Sequence, residues 1–88
     1  MKKLKKEEVR SRILQQVVEK GIGDVYAFKQ QIIQKPDEET DQADVVETVK
    51  TLIEEGNLKV PDPDFPIVKP TKKARKTLKK EAPGGGNR

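Results

Sequence analysis

The sequence predicts a mainly helical domain with a small β-hairpin, and three observations lead to this prediction. Apolar residues recur every three or four positions in three separate segments, as on amphipathic helices. Beyond the third segment the apolar spacing changes to two, as in a strand. Helix stop signals separate the segments: Gly21 and Gly56 follow the first and the third, and Pro36 follows the second. With 88 residues, the chain forms at most one domain around a small core.

The first helix is predicted over residues 5–20, where the apolar positions recur at a spacing of four. Those positions are Val9, Ile13 and Val17, with Leu14 and Val18 widening the stripe. Gly21 directly follows the helix and is predicted to close it in the left-handed conformation.

The second helix is predicted over residues 25–34. Asp24 is expected to cap its amino-terminal amides, because a carboxylate there can accept a hydrogen bond from the next turn. Val25, Phe28 and Ile32 lie at helical spacing. Pro36 ends the helix, since the residue before a proline resists the helical conformation.

The third helix is predicted to be capped by Thr40 or Asp41 and to close at Glu55. Its apolar face consists of Val45, Val49, Leu52 and Ile53. The Gly56-Asn57 pair that follows is a strong stop signal.

The rest of the chain predicts a hairpin and a basic tail. Leu58 and Val60 indicate a short strand, residues 61–64 a turn, and residues 65–69 a return strand. Thr71 is expected to cap a short helix over residues 72–80, which is marginal unless it docks. Residues 81–88 are expected to be disordered. The predicted core comprises Val9, Ile13, Val17, Ile22, Val25, Phe28, Ile32, Val45, Val49, Leu52, Ile53, Leu58, Val60 and Ile67.

Charge divides the chain into basic, acidic and basic stretches. The formal net charge is +4, and the positive charge is concentrated at the two ends. The stretch between Lys69 and Lys80 contains no acidic residue, whereas residues 37–55 hold many carboxylates and one lysine. Basic ends are typical of proteins that bind a polyanion, most commonly nucleic acid. The alternative is that such lysines only keep a small protein soluble.

Composition argues against enzymatic, metal-binding and membrane-spanning functions. The sequence contains no cysteine and no histidine, and Ser11 is its only serine. The commonest general base and the commonest metal ligand are therefore missing, and Ser11 has no obvious base beside it. We expect no catalytic residue, metal or cofactor. Asp62 and Asp64 provide too few oxygen ligands for calcium. No apolar run approaches the ~20 residues of a membrane span, so the expected location is the cytoplasm or the nucleoid.

The order of three short helices and a hairpin resembles the winged helix-turn-helix superfamily. The residues that carry the resemblance are Val45, Val49, Leu52, Gly56, Leu58 and Val60, in the stretch VVETVKTLIEEGNLKV, and DVYAFKQQII resembles the second helix. The resemblance divides the chain into a basic arm (1–6), a winged-helix domain (7–70) and a basic tail (71–88). It implies a role in transcription or replication for some members and protein binding for others, and fold alone does not decide between them.

The third helix departs from the pattern of the members that read DNA bases. There the third helix enters the major groove and presents basic or amide side chains. Here its outer face is rich in carboxylates, which the field of a duplex disfavours. We therefore expect double-stranded DNA to be bound mostly without sequence specificity, through the basic wing, tail and arm. The predicted contacts are Lys69, Lys72, Lys73, Arg75, Lys76, Lys79, Lys80, Lys2, Lys3, Lys5 and Lys6.

A protein-interaction domain is the alternative function. In that case the acidic third helix docks a basic partner, which is another protein or a second copy of the chain. The residues involved are Asp41, Asp44, Glu47, Glu54 and Glu55. The basic tail could also fold back on this helix and mask it, or the acidic face could serve only solubility.

Overall fold

The chain forms four helices and five short strands over residues 2–64 and 66–81, which the computed structural model describes. The elements in chain order are β1 (Lys2–Lys3), α1 (Lys6–Lys20), β2 (Gly23–Asp24), α2 (Val25–Gln31), β3 (Glu38–Glu39), α3 (Gln42–Glu54), β4 (Leu58–Lys59), β5 (Ile67–Pro70) and α4 (Lys72–Glu81). The fold is therefore mainly helical with a small antiparallel sheet. The predicted disorder of residues 82–88 lies outside the described residues.

Local signals at the helix ends act as the sequence predicts. Gly21 closes α1 with a φ of 75° and donates its N–H to the carbonyl oxygen of Val17. The Asp24 carboxylate accepts the N–H of Tyr26 at 2.9 Å and caps α2. Gly56 has a φ of 83° after α3, a conformation that favours glycine.

The bounds of α1, α3 and α4 differ from the predicted ones by at most one residue, and Glu81, predicted to be disordered, is the last residue of α4. The end of α2 and the capping of α3 differ more, and a carboxylate explains each difference. The second helix ends at Gln31 rather than at residue 34, since the chain then turns so that the N–H groups of Gln34 and Lys35 bond to the Glu38 carboxylate. Asp41 precedes α3 but makes no side-chain cap, because its carboxylate bonds to the Lys3 ammonium at 2.9 Å.

The sheet contains one strand more than the predicted hairpin. The strand order is β2-β5-β4, and both pairs are antiparallel. Strand β2 consists of two residues between α1 and α2, and Gly23 lies opposite Val68. A separate parallel pair joins β1 to β3, with Lys2 opposite Glu38. The basic arm is therefore partly ordered against the loop before α3.

Most of the predicted core is buried, and two assignments are wrong. Ile22 is 47% exposed and Val60 is 40% exposed. Ile22 lies in the connector before β2, and β4 ends at Lys59, before Val60 reaches the strand pairing. On β5, Val68 is buried and the predicted Ile67 is only half-buried. Val25 and Ile53 pack at the edge of the core. Leu4, Leu14, Val68 and Ala74 are buried although the core prediction did not include them.

Helix α4 is docked on the domain rather than extended from it. It packs against α1 and β5, and Ala74 is fully buried. Leu78 is half-buried against the same core. A helix this polar and short is marginal in isolation, so these contacts explain why it is formed.

Candidate functional site

One face of α4 carries a group of exposed basic side chains, which we call the basic face: Lys72, Arg75, Lys76, Lys79 and Lys80. None of the five makes an ion pair within the described part of the chain. Like charges at spacings of three and four residues repel each other along a helix. The basic face is therefore a concentrated, uncompensated positive charge that an anion would stabilise.

The packing of α4 determines which side chains form this face. Ala74 is buried, and Thr77 and Leu78 are half-buried, so these three residues mark the inward side. The basic residues lie on the remaining circumference of the helix. At a rise of about 1.5 Å per residue, they extend along the whole length of α4.

The residues that end α3 hold α4 in place through polar contacts. The Thr71 hydroxyl donates to the carbonyl oxygens of Gly56 at 2.6 Å and Asn57 at 3.1 Å, and the Lys73 ammonium donates to the carbonyl oxygen of Glu55 at 2.5 Å. The Thr77 hydroxyl donates to Oδ1 of Asn57 at 2.7 Å. Lys73 therefore has an intramolecular partner, unlike the five residues of the basic face.

The antiparallel pair of β4 and β5 presents two further lysines. Lys69 is exposed, as predicted, and its cross-strand partner on β4 is Lys59. Sequence reasoning did not include Lys59 in the site. The predicted hairpin carried no signal for this pairing, because a turn at residues 61–64 would place Lys59 opposite Pro66 rather than Lys69. Like charges directly opposite each other destabilise a strand pair, so the β4–β5 pair also carries uncompensated positive charge.

The lysines of the arm behave differently, because two of them pair with carboxylates of α3. The ammonium of Lys3 lies 2.9 Å from Asp41 and 3.6 Å from Asp44, and that of Lys6 lies 3.1 Å from Glu47. The hydrogen bond and charge of Asp41 raise the pKa of Lys3, and Lys3 in turn lowers the pKa of Asp41. Lys2 and Lys5 are exposed and pair with no carboxylate among the described residues.

The carboxylates of the third helix are therefore largely compensated within the molecule. Besides Asp41, Asp44 and Glu47, the Glu55 carboxylate lies 2.9 Å from Arg10 of α1. Glu54 is exposed and has no ion pair within the described residues. The tail does reach the end of α3, but its polar contacts there are with carbonyl oxygens and Asn57 rather than with carboxylates.

A buried ion pair joins Arg12 of α1 to Glu38 of β3, and it was not predicted from the sequence. Glu38 is 3% exposed, and its carboxylate binds the Arg12 guanidinium in a bidentate pair, at 2.7 and 3.0 Å. These bonds, with the N–H groups of Gln34 and Lys35, lower the pKa of Glu38 to about 2. Arg12 also donates to the carbonyl oxygen of Ile32 at 2.9 Å. This cluster joins α1 to the loop before α3 and is structural.

Other kinds of site find no support in the part of the chain that the structure describes. Those residues hold no group of three or more carboxylates placed to bind a metal ion. No helix among them is long and apolar enough to cross a membrane. Tyr26, on α2, is 71% exposed and stands apart from α4 in the fold.

No protein-family model, curated protein or solved structure matches the chain. The geometry and charge of its residues are therefore the basis for inferring its function.

Proposed function

We propose that this chain is a small winged-helix protein that binds nucleic acid, principally double-stranded DNA, through its basic face and wing. The observation that supports this proposal is the difference between the two sets of lysines. Two arm lysines are neutralised by carboxylates of α3, whereas the basic face and the Lys59–Lys69 pair have no such partners among the described residues. Uncompensated cations on a docked helix suit a phosphate backbone.

The chemistry of these side chains favours contacts to phosphate over contacts to bases. Lysine ammonium groups act as point charges, and such contacts neutralise phosphates, release counterions and carry little sequence information. The proposed binding is therefore strong at low salt, weak at high salt and nearly independent of sequence. Lys2 and Lys5 are secondary candidates, since their side chains are exposed.

A duplex is favoured over a single strand because stacking residues are scarce. Binding of single strands commonly relies on aromatic side chains that stack on successive bases. Tyr26 is the one exposed aromatic side chain among the described residues, and it lies on α2 rather than on α4. Readout by α3 is disfavoured too, since carboxylates such as Glu47 and Glu54 occupy its exposed face.

Docking of a basic protein on the acidic third helix is the alternative function, and the structure supports it less. Asp41, Asp44, Glu47 and Glu55 each have a cationic partner in the chain. A basic partner would have to replace those contacts, and only Glu54 is available without such an exchange.

The test is a fluorescence anisotropy titration of a short labelled duplex with the full chain at several salt concentrations. Duplexes of unrelated sequence and a single strand of equal length serve as comparisons. The proposal expects duplex binding that weakens steeply with salt and is similar for all duplex sequences. Absence of binding at low salt overturns it and favours the protein-interaction function.

A further inference from the structure

Asn57 is a buried amide at the junction of α3, β4 and α4. It is 1% exposed, and a buried amide destabilises a fold unless its polar atoms are hydrogen-bonded. Its Nδ2 donates to the Glu55 carboxylate at 3.1 Å, and its Oδ1 accepts from the Thr77 hydroxyl at 2.7 Å. Its backbone oxygen accepts both the hydroxyl and the N–H of Thr71 at 3.1 Å.

These contacts hold α4 at two points along the helix. Thr71 precedes the first turn and donates to the residues that end α3, whereas Thr77 lies nearly two turns further along. Contacts at one point would position the helix but leave its rotation poorly defined. Contacts at both points fix its rotation, and thereby the direction in which the basic face points.

The apolar contacts that dock α4 come from few side chains. Ala74 is its one fully buried side chain and Leu78 is only half-buried. The lysines and the arginine of the basic face repel each other, which makes the helix itself less stable. The hydrogen bonds to Asn57 therefore make a large contribution to keeping α4 docked and ordered.

We propose that Asn57 is a positioning residue for the basic face: through Thr77 it holds α4 pre-organised in the orientation that binds the polyanion. This inference rests on the proposed function. Pre-organisation raises affinity because the helix need not be ordered on binding. Its loss should weaken binding without changing how many phosphates the bound protein contacts.

The experiment compares Thr77→Val with Thr77→Ser in the full chain. Valine keeps the shape and the branched Cβ of threonine but removes the hydroxyl, whereas serine keeps the hydroxyl, and neither substitution changes the charge. Binding of the labelled duplex is measured over a salt series, and amide hydrogen exchange reports the order of α4. Thermal unfolding checks that the rest of the domain stays folded.

For Thr77→Val we expect amides of α4 to exchange about tenfold faster and duplex affinity to fall about fivefold to tenfold, with an unchanged salt slope. Thr77→Ser should stay within about twofold of the parent in both measurements. Unchanged exchange in Thr77→Val overturns the role of Asn57 in holding α4. Faster exchange with unchanged affinity overturns its role in binding.

The two proposals fail in different ways. If the parent chain binds no duplex, the proposed function fails, and the role of Asn57 in binding fails with it. The exchange data still decide whether the Asn57–Thr77 contact holds α4.

Discussion

The guanidinium of Arg12 and the carboxylate of Glu38 form a buried bidentate ion pair, with N–O distances of 2.7 and 3.0 Å. The pair connects the middle of α1 to β3, 26 residues later. Both carboxylate oxygens of Glu38 accept hydrogen bonds. Oε2 accepts from Arg12, and Oε1 accepts from Arg12 and from the N–H groups of Gln34 and Lys35. The loop before α3 is thus held by charge and hydrogen bonds rather than by apolar packing.

Acid should weaken the fold through Glu38. Its pKa is lowered from 4.5 to about 2, so the ionised carboxylate is more stable in the folded chain than in the unfolded one. That stabilisation is complete above about pH 4.5 and is lost as the pH falls towards 2. We expect Glu38→Gln to lower the melting temperature at pH 7 by on the order of 10 °C, since it leaves the partly buried Arg12 with the longer ion pair to Glu8, at 3.7 Å, in place of the bidentate one. Thermal melts between pH 2 and 7 measure both effects.

The control for the ion pair is Lys6→Gln, which removes an exposed pair with Glu47. Exposed pairs contribute little, so the melting temperature should change by only a few degrees. The difference between Glu38→Gln and the parent should shrink at acid pH. A difference that stays constant from pH 2 to 7 would contradict the assigned role of the carboxylate.

Core substitutions test the corrected burial pattern. Leu52 is fully buried on α3, and Leu52→Ala should lower the free energy of unfolding by about 2–5 kcal/mol. Ile22 is 47% exposed, and Ile22→Ala should cost below about 1 kcal/mol. Urea unfolding monitored by circular dichroism measures both values. Equal losses in the two variants would show that the placement of these side chains is wrong.

Two glycines near the start of α2 should respond differently to alanine. A Cβ on Gly23 would lie 2.8 Å from Cε1 of Phe28 and from Cγ2 of Val17, and it would clash with Cζ of Phe28. We therefore expect Gly23→Ala to cost about 3 kcal/mol through overpacking. A Cβ on Gly21 would contact no atom within 4 Å, but alanine there would have to keep a φ of 75°. Because that conformation is unfavourable for residues with a Cβ, Gly21→Ala should cost about 1 kcal/mol. Chemical denaturation measures the free energy of unfolding of both variants. A larger decrease for Gly21→Ala than for Gly23→Ala would contradict the prediction.

The arm and the basic face should contribute unequally to nucleic-acid binding. The double variant Lys3→Gln, Lys6→Gln removes two charges that α3 already compensates. The double variant Lys72→Gln, Lys76→Gln removes two charges from the basic face. Both variants lower the net charge by the same amount, so a difference between them reports where the removed charges lie. We expect only the second to weaken duplex affinity by more than about tenfold at low salt. Anisotropy titrations compare them, and a stronger effect of the arm variant would assign the binding surface to the arm.

The sequence predicted those features that depend on neighbouring residues. The left-handed Gly21, the Asp24 cap and the apolar stripes of the three helices each reflect local backbone chemistry. Strand β2 escaped prediction because two residues show no alternation. Val60 was misplaced because alternation indicates which side chains share a face but not where a strand ends.

The electrostatic pairing depends on the tertiary fold and could not be predicted. Lys3 and Asp41 are 38 residues apart in the chain, and Arg12 and Glu38 are 26 residues apart. In the sequence, each is one charge among many on a polar surface. The basic tail was recognised because its charge is local, whereas its docking through Asn57 was not. Leu14 and Val18 were a partial signal for the docking of α4, since they widen the apolar face of α1, against which α4 packs.

The central claim is that the basic face binds nucleic acid. Variants that remove the same number of positive charges from different surfaces test it most directly. Ending the chain before α4 would remove Ala74 and Leu78 and expose the core residues that they cover, so substitutions are preferable to truncation. One variant changes Lys72, Arg75, Lys76 and Lys79 to Gln, and its control changes the exposed Lys20, Lys29, Lys35 and Lys50 to Gln.

The measurement is the slope of the logarithm of duplex affinity against the logarithm of salt concentration. Each lost phosphate contact should reduce the magnitude of that slope by about 0.9. We expect the basic-face variant to reduce it by about 3 to 4, and the control to leave it within about 1 of the parent value. Equal slopes for the two variants, or no change in either, would contradict the account.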